Sequence, residues 1–218
     1  MRKSSVFSKQ VLFHILVMAI GINIMTFGVA AFYASCFGSD TGSVFCDGLH
    51  VLLNISRGSA LYIYNGTLIF TILIFRRKLL RPAMFLHYFL SGSLVDFYSA
   101  LLARLGSAAS IMGVRVFLLI CGILSVCVGI GLFISPGYGG GVYESFLMLL
   151  QEVFHGKYST LRWISDSILT LAGWLMGGTI GFGTILCVLC IPKGVELTVA
   201  FVRPRITVSK QPTNHNIL

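Results

Sequence analysis

Six long apolar runs, at about 11–35, 58–75, 82–102, 114–134, 159–176 and 181–202, constrain what this chain can fold into more than any other feature. An α-helix needs about 20 predominantly apolar residues to cross a hydrocarbon layer ~30 Å thick, and each run is close to that length. Only 11% of the residues are charged, against about 25% in soluble domains. With 56% hydrophobic residues, 17 of them Phe, a soluble core of this size could not hide the apolar surface. The sequence therefore predicts an all-α, polytopic transmembrane helical bundle whose solvent is a lipid bilayer.

The chain opens Met1-Arg2-Lys3, a basic start that a secretory signal shares. The apolar run that follows is too long for a signal core and reaches no small-x-small cleavage site at the usual distance, so it is read as a retained first span. The net charge of +9 does not point to nucleic acid, because no aromatic-basic module accompanies it and the cations sit in short segments between spans. Of the six cysteines, Cys121, Cys127, Cys187 and Cys190 lie in apolar runs, where Cys packs as a small hydrophobe. Cys187 and Cys190 have CxxC spacing but no second ligand pair. Cys36 and Cys46 flank a loop and would pair only on an oxidising side.

Two shorter apolar segments, at 42–55 and 142–154, lie between spans. At 1.5 Å per residue each reaches about 20 Å, too short for an ordinary crossing. They occupy matching places in the chain. Sliding the sequence by 101 residues sets Gly21 on Gly122, Gly28 on Gly129, Phe32 on Phe133, Gly38 on Gly139 and Leu49 on Leu150; a slide of 100 sets Asp96 on Glu196. The expected organisation is a cytoplasmic segment over 1–10, a first repeat over 11–104, a second over 111–202 and a cytoplasmic tail over 203–218. Each repeat would hold three spanning helices and one short re-entrant helix. Re-entrant short segments put Arg2, Lys3, Lys9, the Arg76–Arg81 cluster, Lys157, Arg162 and the tail on one side, as the positive-inside bias requires. Three crossings per half then invert the halves, a plan common among secondary transporters; a parallel repeat is the alternative.

Each short segment follows a glycine-rich stretch, Gly38-Ser39-Asp40-Thr41-Gly42-Ser43 and Gly137-Tyr138-Gly139-Gly140-Gly141-Val142-Tyr143-Glu144. Glycine permits irregular backbone, and a helix start leaves N–H groups free to hold a polar solute or ion. A loop that merely tucks the helix back is the plainer reading. Asp96, Glu144, Asp166 and Glu196 fall in or beside apolar runs, where an ionisable group calls for a partner or a wet cavity. Arg162 and Asp166, four apart on a predicted helix, share a face. Gly173, Gly177 and Gly181 suit close helix packing. The five histidines lack metal-ligand spacing, no nucleophile-and-base set or phosphate loop occurs, and neither an enzyme nor a cofactor is expected.

In their order these elements resemble the YczE/YyaS/YitT group of bacterial integral membrane proteins, closest to its YczE-like branch. The group's first glycine turn is matched at Gly38–Ser43, its Gly-x-x-x-Asp ending at Gly92–Asp96, its second glycine element at Gly139–Glu144, its Arg-x-x-x-Asp helix at Arg162–Asp166, its Gly-x-Gly-Thr at Gly181–Thr184 and its closing element at Pro192–Glu196. Thr41 and Val142 stand where that pattern has proline. The resemblance spans about 15–202 and implies a multi-pass bacterial plasma-membrane protein whose substrate is generally unassigned. The favoured reading is a permease-like transporter of a small polar solute or ion, lined by Thr41, Ser43, Tyr143, Glu144, Arg162 and Asp166, with Asp96 and Glu196 as an intramembrane acidic pair. A non-transporting regulatory or scaffold protein, and the substrate-binding subunit of an energy-coupled vitamin transporter, are the competing classes.

Overall fold

In the computed structural model, which describes residues 2–106 and 111–206, eight α-helices carry nearly all the backbone, and the described residues contain no strand. They are α1 (Arg2–Ser35), α2 (Thr41–Leu53), α3 (Arg57–Phe75), α4 (Pro82–Ala103), α5 (Met112–Ile134), α6 (Val142–Phe154), α7 (Tyr158–Leu175) and α8 (Phe182–Ile206). Most of the expected tail, beyond 206, lies outside the described residues.

Local chemistry sets the ends of these helices. Asp40 caps α2, its carboxylate accepting from the Ser43 N–H, and Asn54 ends the helix in the left-handed region at φ 52°. Ser56 caps α3 by accepting from the Ser59 N–H. Pro82, which has no N–H to leave unpaired, opens α4. The loops that lead into α2 and α6 turn through Gly38 (φ 95°), Gly137 (φ 80°) and Gly139 (φ 121°), conformations that a Cβ disfavours.

Four helices have both the length and the apolarity to cross a bilayer: α1 from Gln10, α3, α5 and α8. The other two expected spans, α4 and α7, have 22 and 18 residues. They are more polar than the four because α4 carries His87, Ser91, Ser93 and Asp96, and α7 carries Arg162 and Asp166. Outward-facing side chains are large and apolar; Leu175 and Leu197 are each 73% exposed and Phe89 is 67% exposed. An apolar surface of this kind requires lipid around it.

The helices α1 and α5 form the central seam. Gly21 packs on Gly129 and Gly28 on Gly122, so the two helices cross antiparallel. A Cβ at Gly21 would lie 2.7 Å from the Gly129 carbonyl, and one at Gly28 would lie 2.8 Å from the Gly122 carbonyl. Small residues let the backbones touch, which is how helices associate where no hydrophobic force separates them from lipid. On one flank Met18, Ile22 and Phe133 pack with Ala83, Leu86, Leu90 and Leu94 of α4. On the other, Leu119, Ile123 and Phe32 pack with Cys187, Ile191 and Val195 of α8. The short helix α2 lies against α7 and α3, and α6 against α3 and α7. All six cysteines are free; Cys36 is exposed while Cys46 is buried on α2.

Candidate functional site

The two short helices begin at the same place. Thr41, the first residue of α2, and Tyr143, the second of α6, both donate hydroxyl hydrogen bonds to Oδ1 of Asp166, at 2.9 and 2.6 Å. Arg162 Nε stands 3.7 Å from Oδ2 of the same carboxylate. Asp166 is the ninth of the 18 residues of α7, so this junction lies at half the height of that helix. One carboxylate thus ties α2 to the consecutive helices α6 and α7 of the other half of the chain, and its hydroxyl donors come from both glycine-rich stretches.

Ser43 and Glu144 stand beside this junction. The Ser43 hydroxyl turns back to Oδ1 of Asp40 at 2.6 Å, and its carbonyl accepts from Tyr33 at 3.2 Å. Asp40 is thereby satisfied as the cap of α2; burial pushes its carboxyl above the ordinary value, and the Ser43 hydrogen bonds oppose that rise. Glu144 sits in the first turn of α6, where a negative charge suits the helix end. Its Oε2 lies 2.5 Å from the place a Cβ on Gly141 would take, and its charge acts on Arg162. Among the described residues Glu144 has no hydrogen-bond or ion-pair partner. The lead-in loop of α6 is held by the Arg81 side chain, which packs on Gly139.

Asp96 and Glu196 stand elsewhere. Asp96 accepts from the Ser56 hydroxyl at 2.6 Å and from the Gly58 N–H at 2.7 Å, closing the start of α3 from α4. Glu196 is exposed on α8, and no bond among the described residues joins it to Asp96. Asp96→Ala removes both acceptors and is expected to destabilise the protein by about 1–2 kcal/mol, while Asp96→Asn, which keeps an acceptor for the Gly58 N–H, is expected to lose less; unfolding in mixed micelles compares them.

A more deeply buried acid lies outside the sequence candidates. Asp47, 4% exposed on α2, pairs with Arg57 Nε at 3.1 Å and accepts from the Thr179 N–H at 3.0 Å. Arg57 in turn lies 4.6 Å over the Tyr33 ring. An acid within the apolar run 42–55 was the available signal, and the criterion that selected Asp166 applies equally to Asp47. Asn65 on α3 also went unselected; it is 3% exposed, and its Nδ2 has no hydrogen-bond partner.

A family described as a family of unknown function (DUF6198) matches residues 12–199, a stretch that contains both glycine-rich loops and Asp166. The chain belongs to that family. Among curated proteins, this chain is similar to the uncharacterized membrane protein YczE of Bacillus subtilis (strain 168), 26% identical over 89% of this chain and 94% of its own length. That similarity agrees with the resemblance drawn from the ordered motifs, and with the multi-pass membrane character of the helices. No solved structure matches.

Proposed function

We propose that this protein is a permease for a small polar solute or ion, built from two inverted halves in a bacterial plasma membrane, with six crossings and both termini cytoplasmic. The observation that carries the reading is the junction itself: two short helices, each too short to cross, start together on one carboxylate half-way along α7. In secondary transporters, discontinuous helices meet in this way near the membrane midplane, where irregular backbone lines the substrate path.

Packing supports the duplication at one constant offset. Adding 101 to Met18, Ile22, Leu90 and Leu94 of one flank gives Leu119, Ile123, Ile191 and Val195 of the other, while Phe133 and Phe32 exchange places. Gly21 meets Gly129 and Gly28 meets Gly122, the reciprocal contacts of a two-fold axis. Peripheral contacts follow the same rule. Arg115 lies 5.0 Å over Phe37, and the residues 101 away from that pair, His14 and Tyr138, have ring centroids 5.6 Å apart. The antiparallel α1–α5 crossing favours inverted halves over parallel ones. The same offset sets Asp96 on Leu197 and Glu196 on buried Val95, so the acidic pair suggested by a slide of 100 is not a pair of equivalents.

The test is a screen of small polar solutes and ions for thermal stabilisation of the purified protein, run in parallel on Glu144→Gln. A solute that stabilises the wild type and not the variant is expected. Stabilisation that Glu144→Gln leaves intact removes Glu144 from the site, and a screen with no stabilising solute favours a non-transporting membrane protein.

A further inference from the structure

Asn65 stands on α3 where Asp166 stands on α7. Each is the ninth residue of its helix, and the core offset of 101 relates the two positions. Leu61 and Leu68, one turn to either side of Asn65, pack in the cluster that holds Val142, the first residue of α6. The neighbouring Tyr64 hydroxyl lies 3.8 Å from the place a Cβ on Gly42 would take, at the start of α2. Asn65 therefore lies on the face of α3 that Leu61 and Leu68 turn toward the cluster around the start of α6. Its amide nitrogen is buried without a partner, which a folded protein sustains only at a cost unless something else accepts from it.

Charge narrows what that something is. Asp40, Glu144 and Asp166 supply three carboxylates at the junction against the guanidinium of Arg162 and, on the lead-in loop of α6, that of Arg81. The nearby Asp47 is balanced by Arg57. A carboxylate stands at the N-terminal end of each short helix, Asp40 accepting from the Ser43 N–H of α2 and Glu144 in the first turn of α6, so both ends disfavour a further anion. The uncompensated charge is negative, in surroundings where water is scarce.

We infer that the junction binds a small hydroxylated organic cation, with its positive group toward Glu144 and Asp40 and its hydroxyl oxygen accepting from Nδ2 of Asn65. The inference takes the location of the site from the permease reading and adds the ligand class and Asn65 as the residue that recognises the hydroxyl. The test uses the full chain in lipid nanodiscs and measures the affinities of ethanolamine, choline, tetramethylammonium and acetate by thermal shift and calorimetry. Choline is expected to bind about tenfold more tightly than tetramethylammonium, which has the charge without the hydroxyl. Acetate is expected to give no shift. In Asn65→Leu the preference for choline over tetramethylammonium should fall to about one, with both still binding; in Glu144→Gln both cations should weaken together. A preference that survives Asn65→Leu, stronger binding of acetate than of the cations, or no response to any of the four overturns the proposal. A solute of another class that stabilises the wild type but not Glu144→Gln overturns this proposal alone and leaves the permease reading standing.

Discussion

Replacing Asp166 with leucine is expected to destabilise the protein by about 3–5 kcal/mol and to abolish any solute-induced stabilisation. Three groups converge on that carboxylate: the Thr41 hydroxyl, the Tyr143 hydroxyl and the Arg162 guanidinium. Leucine removes the acceptor for all of them at once. Two hydroxyls then lose their partner and the Arg162 guanidinium, one turn earlier on α7, loses its counter-charge. Asp166→Asn separates the contributions, because a carbonyl oxygen in the place of Oδ1 can still accept from both hydroxyls while the charge is gone; a loss of about 1–2 kcal/mol is expected. Denaturant titration in mixed micelles measures both. A leucine variant as stable as the wild type would mean that the junction holds nothing together.

The second large effect is expected at the α1–α5 seam. A Cβ on Gly129 would lie 2.5 Å from the Met25 nitrogen and 2.6 Å from the Gly21 carbonyl. These are backbone atoms, which no change of rotamer can move aside. Gly129→Ala is therefore expected to cost about 3 kcal/mol or more and to reduce sharply the monodisperse fraction after purification. The control is on the same helix. A Cβ on Gly113 meets nothing within 4 Å, so Gly113→Ala is expected to be neutral or to stabilise by about 0.5–1 kcal/mol through the entropy of the unfolded chain. Equal effects at the two positions would contradict a close-packed seam.

Much of this architecture is legible in the sequence because the physics behind it is local or periodic. A run of apolar residues marks a helix in lipid without reference to any partner. The recurrence of glycines at one offset marks the close-packed seam, since Gly21, Gly28, Gly122 and Gly129 are the residues that touch. Arg162 and Asp166 are legible as a pair because four residues make a helix turn. Thr41 and Tyr143 come from the glycine-rich loops, although nothing in the sequence says that they meet on one oxygen. Other features are illegible because their partners are distant. Asp96 reads as a functional acid until Ser56 and Gly58, some 40 positions earlier, are seen donating to it. Asp47 is legible as an acid in an apolar run, but its partners, Arg57 and the Thr179 N–H, are not. Asn65 is visible as a polar residue in an apolar run, 101 positions before Asp166, but its unpaired amide is a property of its surroundings.

The central claim, that both short helices are anchored on one carboxylate, is tested most directly by double-mutant cycles around Asp166. Thr41→Val and Tyr143→Phe each delete one donor, and each is made in the wild type and in Asp166→Leu, with unfolding free energies measured in mixed micelles. The account predicts that each hydroxyl deletion costs about 1 kcal/mol in the wild type and close to nothing once Asp166 is gone, a coupling well above the additive limit for both residues. Deletions that cost the same in both backgrounds, or coupling for one hydroxyl only, would contradict a shared anchor.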